Sequence, residues 1–100
     1  MVTQEAVLKA LEAVIDPELG LNIVELGLIY GIQVNGENDV IVTMTLSARG
    51  CPLHASITNG VENVIKRMDG VNGVRVEVVW DPPWTPDRIA PETKKRMGFR

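Results

Sequence analysis

Cys51 is the only cysteine of the chain, and it stands directly before a proline in the run Ser47-Ala48-Arg49-Gly50-Cys51-Pro52. Proline suits the first position of a helix, where its missing N–H would be unpaired anyway, so the pattern makes Cys51 the cap residue of a helix starting at Pro52. The free amide groups and dipole of a helix start favour the thiolate over the thiol, and Arg49 adds a positive charge nearby. Such a thiol can serve as a metal ligand, a sulfur acceptor or a nucleophile. The other reading is a small buried hydrophobe. Spacing alone leaves both open.

His54, the only histidine, lies three residues further on, so the pair can share one helix face. Together they can bind a metal or activate a thiolate, and His54 can equally be an ordinary surface residue of the helix. One cysteine and one histidine cannot complete a tetrahedral zinc site. Nor can they supply the thiolates of an iron–sulfur cluster. A metal held at Cys51 must therefore be shared with a second subunit, another protein or a small thiol.

Other residues with chemical potential fall into three groups. Thr43 and Thr45 alternate with Val42, Met44 and Leu46, which makes them either the solvent face of a strand or a polar floor close to Cys51. Asp16, Glu18 and Glu25 flank an irregular stretch and can act as acids, bases or hard-metal ligands, or simply end a helix and face water. Trp80 and Trp84 bracket Asp81-Pro82-Pro83 and read as a rigid apolar surface, either covering a sheet edge or anchoring a partner. A phosphate-cradling glycine loop, a Cys-x-x-Cys pair and a serine–histidine–acid set are missing from the sequence.

These residues need a scaffold. One hundred residues, 45% hydrophobic and 23% charged, suit a single globular domain spanning 1–100. No apolar run is long enough for a bilayer, and the N-terminus lacks the basic start of a signal peptide. With a lone cysteine, the expectation is a cytoplasmic protein without membrane attachment. A net charge of −3 argues against general nucleic-acid affinity. Residues 1–40 carry seven acids against Lys9, whereas the remainder is net positive, ending in Lys94-Lys95-Arg96 and Arg100. That asymmetry fits solvated surface or a docking face, including that of a homodimer.

Thr3 can cap a first helix, whose apolar positions Val7, Leu8, Leu11, Val14 and Ile15 run up to Asp16-Pro17. Residues 18–27 read as a loop. Strands are expected over 28–34 and 40–46, joined by the turn Asn35-Gly36-Glu37-Asn38 as a hairpin. A helix from Pro52 to Gly70 and a strand over 74–78 complete a right-handed crossover, so the second and third strands run parallel. A short helix follows over 91–97. The expected fold is α+β, a two-layer α-β-β-α-β-α domain with a three-stranded mixed sheet.

Ordered fragments along the chain carry a resemblance. Asp16-Pro17-Glu18, Asn22-Ile23-Val24-Glu25-Leu26-Gly27-Leu28-Ile29-Tyr30, Met44-Thr45-Leu46 leading to Gly50-Cys51-Pro52, Val79-Trp80-Asp81-Pro82-Pro83-Trp84 and Met97-Gly98-Phe99 together resemble the PaaD-like/SufT-like family of iron–sulfur cluster assembly proteins, also called metal–sulfur cluster biosynthetic proteins. The resemblance covers about Leu11 to Phe99. It implies an iron–sulfur cluster assembly-like domain with an accessory role in assembling clusters or delivering them to client proteins, rather than a metabolic reaction. The reactive cysteine of the family maps onto Cys51. Its acidic motif maps onto Asp16 and Glu18, an aspartate-type position onto Glu25, and its threonine-rich strand end onto Thr43 and Thr45. Longer PaaD proteins carry a further C-terminal cysteine cluster that this sequence lacks, which points to a SufT-like or general assembly role.

The resemblance implies a transient iron–sulfur cluster or iron at Cys51, shared with a scaffold, carrier or client protein and held stably by no single chain. Asp16, Glu18, Glu25, Thr43, Thr45 and His54 would shape the pocket, with Trp80 and Trp84 recruiting the partner. A non-catalytic adaptor in a multiprotein complex is the alternative. A stand-alone thiol enzyme would need an acid to orient His54, and none stands at readable spacing.

Overall fold

The computed structural model describes residues 2–17, 19–46 and 54–97, with the backbone alone at His54 and Met97. Helix α1 spans Gln4–Leu11 and is capped as expected, the Thr3 hydroxyl accepting the Ala6 N–H at 3.1 Å. Val7 and Leu11 bury its inner face completely.

The helix ends one turn earlier than its apolar periodicity suggests. Ala13 and Val14 donate to Ala10 and Leu11 in a tightening final turn. Beyond it the chain is already extended: β1 (Ile15–Asp16) pairs antiparallel with β2 (Leu21–Asn22). Pro17 is the cause, because it drives the residue before it out of the helical region. The expected loop over 18–27 is therefore corrected, in its described part, to a small hairpin followed by a helical turn.

The main sheet has the order β3-β4-β5. β3 (Ile29–Val34) and β4 (Asp39–Met44) form the expected hairpin, each strand slightly shorter than its alternation. Asn35 closes the turn by accepting the N–H groups of Glu37 and Asp39 at 2.9 and 3.0 Å, and Asn38 takes the left-handed conformation with φ 64°. Helix α2 (His54–Lys66) crosses back so that β5 (Gly73–Val78) runs parallel to β4, Val42 lying opposite Val76. A 3-10 turn over Pro86–Arg88 precedes α3 (Pro91–Met97).

The fold is thus a small α+β domain with three helices and a mixed three-stranded sheet, plus the β1–β2 ribbon. Helices α1 and α2 pack on each other, and on β3 and β5 respectively. Val40, Val42 and Met44 of the central strand are fully covered, together with Val61 and Ile65 of α2. Alternation then places Ile41 and Thr43 on the other face of β4, where Arg75 and Glu77 of β5 form an exposed ion pair at 3.3 Å. Among the described residues no helix is long and apolar enough to cross a membrane.

Candidate functional site

The acidic hairpin and the end of the central strand form one bonded strip. Ile23 donates to the Val14 carbonyl at 3.0 Å, Leu28 to Ile23 at 3.1 Å, and Thr45 to Leu28 at 2.9 Å. These backbone bonds tie the ribbon that carries Asp16 to the residue from which the chain leaves β4.

Asp16 is not a solvated loop residue. It is only 2% exposed, its Oδ1 accepts the Leu19 N–H at 3.3 Å, and its backbone carbonyl accepts the Gly20 N–H at 2.8 Å. The chain wraps back over the carboxylate. Burying an acid is costly unless hydrogen bonds compensate, so this position is built rather than incidental.

Thr43 and Thr45 do not share one environment. Thr43 lies within β4, opposite Gly31 on one side and Glu77 on the other, and is half-buried. Thr45 lies just past the strand and is fully buried, and its hydroxyl oxygen has no hydrogen-bond partner among the described residues. An unpaired buried hydroxyl costs about 1–3 kcal/mol, a burden that a packed core would normally shed by using valine. The residue after it, Leu46, is buried too, and eight residues further on α2 begins. Cys51 belongs to the connection between them and lies outside the described residues, as do Glu18 and the His54 side chain.

Glu25 serves a different purpose. Its Oε2 accepts from the backbone and side-chain amides of Asn22, while Asn22 Oδ1 accepts the N–H groups of Val24 and Glu25 at 3.0 and 2.8 Å. This is the reciprocal arrangement of a capping box, with Asn22 as cap and Glu25 three residues on. Glu25 Oε1 accepts from the Thr93 hydroxyl and from Arg96, both at 3.0 Å. The carboxylate therefore staples the turn after β2 to α3. The Asn22-x-x-Glu25 spacing was the available signal for the cap; Thr93 and Arg96 left none.

The tryptophan loop is also anchored inward. Trp84 Nε1 donates to the Leu26 carbonyl at 2.6 Å, and both Trp80 and Trp84 pack half-buried against the core. The peptide bond between Asp81 and Pro82 is cis. The Tyr30 hydroxyl donates to the Pro82 carbonyl at 2.8 Å, and the Arg88 guanidinium lies over the Tyr30 ring, 4.8 Å from its centre. Gly27, Ile29, Tyr30, Pro82 and Arg88 line an open cleft of about 570 Å³. Gly27 has φ 76°, and a Cβ there would overlap the Arg88 carbonyl, so only glycine allows this approach.

Among the described residues no group of three or more His, Cys, Asp or Glu side chains is arranged to hold a metal ion. Among the described residues the structure thus links the Asp16 ribbon, through Ile23 and Leu28, to Thr45, which precedes the connection carrying Cys51 in the chain. It turns Glu25 towards α3 and seats the tryptophans on the core.

The chain also matches known proteins. A family described as iron–sulfur cluster assembly protein matches residues 4–78. The chain is 38% identical to the Fe-S protein maturation auxiliary factor YitW of Bacillus subtilis, over 97% of this chain and 95% of that protein. It is 41% identical to the Fe-S protein maturation auxiliary factor SufT of Staphylococcus aureus, over 85% of this chain and 97% of that one. The crystal structure of a domain of unknown function, DUF59, from Bacillus anthracis superimposes with a TM-score of 0.91 at 40% identity, covering 97% of this chain and 92% of the other.

Proposed function

This chain belongs to the iron–sulfur cluster assembly protein family, and we propose that it is an accessory factor that helps to assemble iron–sulfur clusters or deliver them to client proteins in the cytoplasm. Cys51 is the reactive thiol. It makes a transient contact with the cargo, iron or a cluster, whose remaining ligands come from the scaffold, carrier or client. The chain has one cysteine, so a shared contact is the arrangement that ligand counting allows.

The observation that carries this reading is the buried Thr45 hydroxyl without a partner, at the root of the Cys51 connection. Together with the enclosed Asp16 carboxylate it supports a polar pocket at that end of the sheet. Thr43, Glu18 and His54 complete the pocket in this reading. Glu25 belongs to its support through the turn it caps, and Trp80 and Trp84 form the partner-facing loop.

The test is a Cys51→Ser strain assayed for the activity of iron–sulfur client enzymes, alongside anaerobic reconstitution of purified wild-type and Cys51→Ser protein with iron and sulfide. Depressed client activity and loss of the cluster absorbance in the variant support the reading. Normal client maturation in the variant removes Cys51 from the mechanism and leaves the chain as an adaptor.

A further inference from the structure

We propose that the cleft between β3, the Asp81–Trp84 loop and the 3-10 turn is a docking site for an acidic segment of a partner protein, with Arg88 as the residue that takes its carboxylate. The site goes beyond the Cys51 chemistry proposed above, and it is built from residues outside that strip.

Among the described residues Arg88 is the only cation lining the cleft, and it forms no ion pair with any of them. Its neighbour Asp87 is engaged elsewhere, 3.8 Å from Lys94 Nζ. The guanidinium is held in place over the Tyr30 ring, and Tyr30 is itself fixed by its hydrogen bond to Pro82. The backbone beneath is fixed as well. Arg88 N–H donates to Thr85 at 3.0 Å, Ile89 is buried, and Gly27 lets the Arg88 carbonyl close on the turn after β2. A side chain ordered before binding loses less freedom when a ligand arrives.

A guanidinium stacked on a ring keeps its N–H edges free, and those edges match a carboxylate in a paired, planar contact. The other lining residues, Ile29, Pro82 and Gly27, offer apolar surface beside the charge. The volume of about 570 Å³ suits one or two side chains, within the range of roughly 300–1,000 Å³ usual for specific pockets. The fitting occupant is thus a protein segment with an aspartate or glutamate next to an apolar residue. A nucleic acid would require several cations in a row, whereas among the described residues the cleft has one, and the chain is net negative.

The experiment uses full-length ¹⁵N-labelled protein and a capped, fluorescent probe peptide, Gly-Asp-Leu-Glu-Phe-Asp-Gly, with its Asn/Gln counterpart as control. Anisotropy gives the affinity and amide shifts give the location. The expected result is saturable binding with shifts at Gly27, Ile29 and Tyr30, and an affinity about tenfold weaker both for the neutral peptide and for Arg88→Gln. Arg88→Lys, which keeps the charge but loses the planar fork, should fall between, and Lys66→Gln on α2 should change nothing. Absence of saturable binding, equal binding by Arg88→Gln, or shifts centred on α3 would overturn the proposal, as would self-association through this cleft that excludes the peptide. None of these readouts passes through client maturation, so failure here is distinguishable from failure of the Cys51 mechanism.

Discussion

The Thr93 hydroxyl donates a 3.0 Å hydrogen bond to Glu25 Oε1, joining α3 to a turn 68 residues earlier in the chain. Glu25 also receives Arg96 and both amide groups of Asn22, so one carboxylate fixes the C-terminal helix and caps the turn. Glu25→Ala should destabilise the domain by about 2–4 kcal/mol in urea unfolding, since it orphans several donors at once. Arg96→Ala should cost under about 1 kcal/mol, because that partner is largely exposed. Hydrogen exchange should localise the Glu25→Ala defect to α3. Unchanged protection there would refute the staple.

Gly27 and Gly20 both have positive φ, 76° and 70°, but they differ in the space around them. A Cβ at Gly27 meets the Arg88 backbone, whereas a Cβ at Gly20 meets nothing within 4 Å. Gly20→Ala should therefore cost only the backbone strain, about 1 kcal/mol, and Gly27→Ala at least about 3 kcal/mol. Thermal denaturation of the two variants side by side decides it. Equal losses would mean that the approach of Arg88 to the turn is unimportant.

The indole of Trp84 is a structural strap through its bond to Leu26. Trp84→Phe keeps most of the ring packing but leaves the Leu26 carbonyl unpaired, for an expected loss of about 1–2 kcal/mol. If the loop also recruits a partner, pull-down of that partner should weaken more in Trp80→Ala than the stability loss alone explains. A loss of stability with full partner recovery would confine both residues to packing.

Thr45→Val replaces a buried, unpaired hydroxyl with a methyl of the same shape. On stability grounds alone the variant should gain up to about 1 kcal/mol. If the hydroxyl serves the Cys51 site, client maturation should fall while the melting temperature rises. A variant both more stable and fully active would show that Thr45 contributes nothing to the pocket.

Periodicity revealed the main sheet well. The alternation of Val40, Val42 and Met44 and the Asn35–Asn38 turn specified the β3–β4 hairpin, and the crossover rule gave the parallel β5. Where two local signals competed, the weaker-looking one won. Val14 and Ile15 continue a helical pattern, yet Pro17 imposed extended backbone upstream and produced the β1–β2 ribbon.

The site was less legible than the fold. Asp16 and Thr45 stand out as candidates by type and position, but their burial is a tertiary result that no spacing encodes. Glu25 looked like a third acid of the same cluster, and its real partners, Thr93 and Arg96, approach from the far end of the chain. The pairing of Tyr30 with Arg88 was hidden for the same reason: 58 residues separate them, and only the closed loop brings ring and cation together.

The way β4 ends sets how freely the domain can change. Met44 is flanked by Ile29 and Val78, its carbonyl accepts the Val79 N–H at 2.8 Å, and Thr45 is bonded to Leu28. Beyond the connection, Ile57 and Val61 of α2 are buried in the core. Both banks of the 47–53 segment are therefore held by residues outside it. Sequence change at Met44, Ile57 or Val61 should therefore be tolerated poorly, so selection has little room to alter either bank.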